Sequence, residues 1–135
     1  MSVEVKGIKE LERQLEAMYG QQRMKQLSDE ALLPSAKIVA NQIASNFQKF
    51  KDTGASIDEI HMDKPSFAPD GTRRVIIRWK GPKDRYRIIH LNEFGYNREG
   101  KRITPAGFGA IARALRSSES AYRQSIIKHL RRGIT

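Results

Sequence analysis

The chain contains no cysteine, and that one absence removes disulfide frameworks, thiolate metal sites and thiol nucleophiles together. No apolar run approaches the ~20 residues that a bilayer span requires, and no signal-peptide core follows Met1. Glycine-rich phosphate cradles are missing too, since Gly107-Phe108-Gly109 has neither a third glycine nor a preceding strand. No serine sits in a nucleophile elbow. His61, His90 and His129 are scattered along the chain, without the i, i+3 or i+4 pairing that would hold a metal. Asp58 and Glu59 are adjacent, but alternation along a strand would send them to opposite faces. These absences point away from catalysis, cofactors and membranes, and toward one soluble domain of 135 residues made in a reducing cytoplasm.

What the sequence does hold is positive charge, placed unevenly. The formal net charge is +10. Residues 1–72 are slightly acidic, residues 73–102 carry ten Lys/Arg against three Asp/Glu, and residues 103–135 carry six against one. Such asymmetry predicts a single basic surface, which attracts phosphate backbones, acidic proteins or anionic lipid head groups alike. The cations of the first basic stretch are Arg73, Arg74, Arg78, Lys80, Lys83, Arg85, Arg87, Arg98, Lys101 and Arg102, the candidate partner- or DNA-facing set.

Periodicity divides the chain. Ser2-Val3-Glu4-Val5-Lys6 alternates as a short strand or extended arm. Ile8, Leu11, Leu15 and Met18 form one helical stripe that Gly20 ends. A second helix is predicted from a cap at Ser28 or Asp29 to Lys51, with Pro34 in its first turn and a stripe of Leu32, Ala36, Val39, Ile43, Phe47 and Phe50. Ile57, Ile60 and Met62 suggest an imperfect strand. Arg73–Lys80 is a clear one, with Val75, Ile77 and Trp79 on its core face. Gly81-Pro82-Lys83-Asp84 reads as a hairpin turn, Arg85–Asn92 as the return strand, and residues 97–109 as a mobile loop. A long helix follows from Gly109 to Arg132, with Ile111, Leu115, Ser118, Tyr122, Ile126 and Leu130 on one face. The expected class is α+β: an antiparallel sheet of three or four strands, with two N-terminal helices and the long C-terminal helix packed on it.

Three functional readings follow. Arg74, Arg78, Tyr86, Arg87 and His90 on strands resemble the general layout of bacterial ribonuclease toxins, where arginines hold a phosphate while His or Tyr moves protons. Trp79, Tyr86, Phe94 and Tyr96 among so many cations suggest a nucleic-acid stacking platform. Alternation, however, groups Trp79 with the core.

The third reading rests on four short pieces in order. Val5-Lys6-Gly7-Ile8 with Leu11 and Leu15 opens the chain. An Ala-rich helix through Ala36, Ala40 and Ala44 closes on Asp52-Thr53-Gly54. Tyr86 precedes Leu91-Asn92-Glu93-Phe94-Gly95, and Thr104-Pro105-Ala106-Gly107-Phe108 leads into the last helix. Together they resemble the tail-completion, or head–tail joining, proteins of long-tailed bacteriophages. Here Ala55-Ser56-Ile57 stands where that family commonly has leucine and arginine. The resemblance implies a virion structural protein, made in the host cytoplasm and acting by assembly without cofactor. It would complete the tail tube and join it to the head connector or stopper, as a ring-shaped homo-oligomer touching other neck and tail proteins and, weakly, genomic DNA. Ring closure needs two different contact patches, expected from the 97–109 loop and the exposed sheet edge. The motif residues are Asp52, Thr53, Gly54, Tyr86, Glu93, Phe94 and Gly95. Glu93 is expected to pair with a nearby arginine, Phe94 to be core, and Gly95 to end a strand.

Overall fold

The computed structural model describes residues 1–50 and 54–134. Alternation in the opening residues becomes strand β1, Ser2–Lys6, with Val3 and Val5 buried. The first apolar stripe becomes helix α1, Lys9–Tyr19. Gly20, at φ 85, ends α1 by donating its N–H to the Glu16 carbonyl and starts helix α2, its own carbonyl accepting from Met24. Positive φ is what turns the chain so sharply between two helices.

Helix α2 therefore runs Gln21–Phe47, starting seven residues before the expected cap and containing Pro34 well inside it. The good helix formers Gln21 to Lys25 carry it back to Gly20, and Met24, Leu27 and Ala31 extend the buried stripe. Asp29 is thus a mid-helix residue whose side chain is free for another task.

A helical turn, α3 (Ala55–Asp58), replaces the first half of the imperfect strand, which survives as β2, Ile60–Met62. Two-residue β3 (Ser66–Phe67) and seven-residue β4 (Arg73–Trp79) complete a four-stranded antiparallel sheet. β4 is its centre: Val3 faces Ile77 and Val5 faces Val75 across one side, while Ile60 faces Trp79 and Ser66 faces Arg74 across the other.

That centrality overturns the expected hairpin. With both edges of β4 occupied, no pairing partner remains for a return strand, and residues Tyr86–Phe94 form helix α4 instead. Its start is held by the buried Glu59 carboxylate, which accepts from the backbone N–H of Lys83 at 2.6 Å and of Arg85 at 3.0 Å. A Cβ on residue 81 would stand 2.6 Å from Glu59 Cγ, so Gly81 lets that side chain through.

The expected loop is also partly ordered. Tyr96–Arg98 (β5) pairs with Lys101–Ile103 (β6) around Glu99 and Gly100, both at positive φ, as a tight two-residue hairpin turn demands. Helix α5, Ala110–Ile134, ends the described chain.

α5 lies antiparallel on α2. Arg23 donates to the Gly133 carbonyl, Ser35 Oγ meets Ser125 Oγ at 2.8 Å, and Asn46 donates to the Ala110 carbonyl. The class is α+β as expected, but the long C-terminal helix docks on α2, whose opposite side covers the sheet. Trp79 stacks on Phe47, ring centroids 6.0 Å apart, within the same core as Val75 and Ile77. It is therefore no stacking platform for bases.

Candidate functional site

Three of the four resemblance-bearing pieces come together at one end of the fold. The opening piece lies away from it, Lys6 pairing with Arg74 and Leu11 and Leu15 facing the C-terminal turns of α5. Gly54, at φ 82, accepts through its carbonyl from the N–H groups of Ile57 and Asp58 and so starts α3. Asp52 and Thr53 lie outside the described residues. Pro105, Ala106 and Gly107 face Gly54 across a cleft of about 320 Å³, with Phe50, Ile88 and Asn92 among its other walls. Gly107 admits the Phe50 ring, 2.7 Å from where a Cβ would stand.

Glu93 organises this end. It is 4% exposed, and its carboxylate accepts from the N–H of Ile111 at 2.7 Å and of Ala112 at 3.0 Å, while its carbonyl accepts from Gly109. Those are the orphan donors at the start of α5, which carries positive partial charge. Glu93 therefore caps a helix; it does not pair with an arginine. Gly95 ends a helix, not a strand, at φ 73, and a Cβ there would come within 2.7 Å of the Ile103 carbonyl. The Arg102 guanidinium donates to the Phe94 carbonyl and ties the hairpin to α4.

Phe94 is 57% exposed, a correction to its expected place in the core. Tyr86 and Phe108 are exposed as well. Among the described residues the cleft walls contain no histidine or carboxylate, and their one charged group, Arg85, donates to Ser56 Oγ at 2.8 Å.

The residues cast as a ribonuclease constellation are dispersed. Arg74 and Arg78 stand on the outer face of the sheet, while Tyr86, Arg87 and His90 ride on α4. Arg78 and Tyr86 do line one shallow cleft with Asp63 and Lys80, but Arg78 is spent there on an ion pair to Asp63 at 2.5 Å. Arg87 lies over the Tyr86 ring and donates to its hydroxyl, a bond that pushes the guanidinium pKa further up. Among the described residues no cluster of three or more His, Cys, Asp or Glu offers a metal site, and no helix is long and apolar enough to cross a membrane.

The expected basic surface is partly cancelled. Arg73 is 4% exposed, forked onto Asp29 through two bonds of 2.9 Å and laid over the Phe67 ring, so it faces the interior and neither DNA nor a partner. Arg74 bonds Glu4 at 2.6 Å, and Lys6 reaches Asp70 at 3.2 Å. The outer sheet face is thus a mosaic of both signs. Lys80, Lys83, Arg98 and Lys101 remain exposed without an acidic partner among the described residues.

Helical spacing puts Glu12 on the wet face of α1, yet the structure buries it. Glu12 sits beneath the sheet, where Oε1 accepts from the N–H of Arg73 at 2.9 Å and Oε2 has no partner. Oε2 occupies the space a side chain at Gly7 would need. Burial pushes this carboxyl up from 4.5 to about 7, the Arg73 N–H only partly opposing it. Between those values the native chain holds more protons than the unfolded one, so stability falls as pH rises from 4.5 through about 7. The loss is on the order of 3 kcal/mol. Glu12→Gln should remove that slope, its melting temperature gaining on the parent's between pH 5 and pH 8. Parallel pH profiles for the two proteins would contradict it.

Comparison of the chain with protein-family models, curated proteins and solved structures finds no match.

Proposed function

We propose that the protein acts by assembly, as a structural component of the neck of a long-tailed bacteriophage. In this reading it completes the tail tube and joins it to the head connector as a ring of copies, without catalysis. The observation that carries the reading is the meeting of Gly54, α4 and residues 105–107 around one cleft, with Tyr86, Phe94 and Phe108 exposed on the same stretches of chain. Exposed aromatics clustered near a concavity are the usual marks of a protein-binding surface. A second, different patch is available on β1, which pairs with β4 on one side only and leaves its other edge open among the described strands. Two unlike patches are what a heterologous, closing contact requires.

Deleting the gene should leave DNA-filled heads and separate tails. The parent gene should restore joined particles, and Phe94→Asp should not, although its exposed ring leaves the fold intact by circular dichroism. Joined, infectious particles from the deletion would end the proposal.

A further inference from the structure

We propose that the solvent face of α5 is a binding surface for the phosphate backbone of double-stranded nucleic acid. At 100° per residue, Arg113, Arg116, Arg123 and Arg131 fall within an arc of about 80°, with Lys128 on its flank. All five are exposed. The opposite side of the helix carries Ile111, Ala114 and Ser118, which are buried, while the buried Leu130 lies about 20° from Arg123 at the edge of the arc. From Arg113 to Arg131 the ridge is about 27 Å long, the rise of about eight base pairs.

Three features separate this ridge from an ordinary solvated face. None of its five cations forms an ion pair among the described residues, whereas the sheet arginines 73, 74 and 78 all do. The only acid on α5, Glu119, stands at its margin. Between the cations stand Ser117, Ser120 and Gln124, all exposed donors suited to phosphate oxygens. The arc's apolar residue, Ile127, turns toward the groove with α1. The apolar groove that would anchor an acidic protein partner lies against α1, where Leu11, Leu15, Met18, Ile127, Leu130 and Ile134 line it with only Arg131 of the five cations. A uniformly charged rod needs no such anchor. Nothing on the ridge reads base edges, so the binding is sequence-independent.

This inference stands apart from the assembly reading, because it is measured on the isolated chain. Fluorescence anisotropy with two unrelated duplexes of about 24 base pairs should give equal affinities. Raising salt from about 50 to 200 mM should weaken binding roughly 10²-fold if four phosphates are engaged. The triple variant Arg116→Gln/Arg123→Gln/Lys128→Gln should lower the salt slope by about 2.7 and weaken binding at least tenfold at low salt. Its exposed positions leave the fold unchanged by circular dichroism. The control Arg98→Gln/Lys101→Gln/Arg102→Gln on the hairpin should change affinity less than threefold. No binding at low salt, an α5 triple indistinguishable from the parent, a hairpin triple that abolishes binding, preference for one sequence, or tighter binding of poly-glutamate than of duplex would each overturn it.

Discussion

Glu93→Ala is expected to lower stability by about 3–4 kcal/mol, roughly 10 °C in melting temperature for a domain of this size. The carboxylate makes two charge-assisted bonds to the first turn of α5, and Ile111, one of the two donors, is buried. Removing the acceptor orphans those N–H groups where water does not reach, and it takes away the negative charge that faces the positive end of a 25-residue helix. Glu93→Gln should fall between the two, since its amide keeps one acceptor and turns a donor toward the other N–H. Amide exchange at residues 110–113 should accelerate in both variants. A melting temperature within 2 °C of the parent for the alanine variant would show that the cap is dispensable.

Arg73→Met should cost about 2–4 kcal/mol, read as a shift of the urea midpoint at unchanged m. The substitution leaves the Asp29 carboxylate without its fork and strips the cover from Phe67. Breaking one half of a largely buried pair is worse than removing both halves. The double variant Arg73→Met/Asp29→Leu should therefore recover a good part of the loss. Duplex affinity should not change in either, because the guanidinium points inward. A stability change below 1 kcal/mol for the single variant, or a loss of duplex binding, would return Arg73 to the exposed set.

These two residues mark where sequence reasoning reached and where it stopped. Val75, Ile77 and Trp79 announce a strand through period-two alternation, and all three are buried as read. The stripes of α1, α2 and α5 are legible too, since helical spacing is a local signal, but Met18 and Leu115, read onto them, are exposed. Residues 85–92 misled for the same reason. Tyr86, Ile88 and Ile89 favour a strand by propensity, yet the outcome was decided by β1, β2 and β3 filling both sides of β4, and by a carboxylate 26 residues upstream. Tertiary context overrode a weak local preference.

The candidate site shows the same division. Glu93-Phe94-Gly95 is visible as a string, but its physical role lies 18 residues away, at the start of α5. Which arginines are neutralised could not be read either, because their partners sit 44 and 70 residues distant. The ridge on α5 was legible in principle. Its cations fall opposite Ile111, Ala114 and Ser118, a spacing hidden by counting charge along the chain instead of around the helix.

The mosaic on the outer sheet face has a consequence for the protein in bulk. Outward-pointing Glu4, Lys6, Arg74 and Arg78 put charge of either sign on most positions that another sheet would have to lie flat against. Lys6 at the open border of β1 adds a cation that a passing strand would have to desolvate. Fibrillar stacking is thereby discouraged on the surface most prone to it.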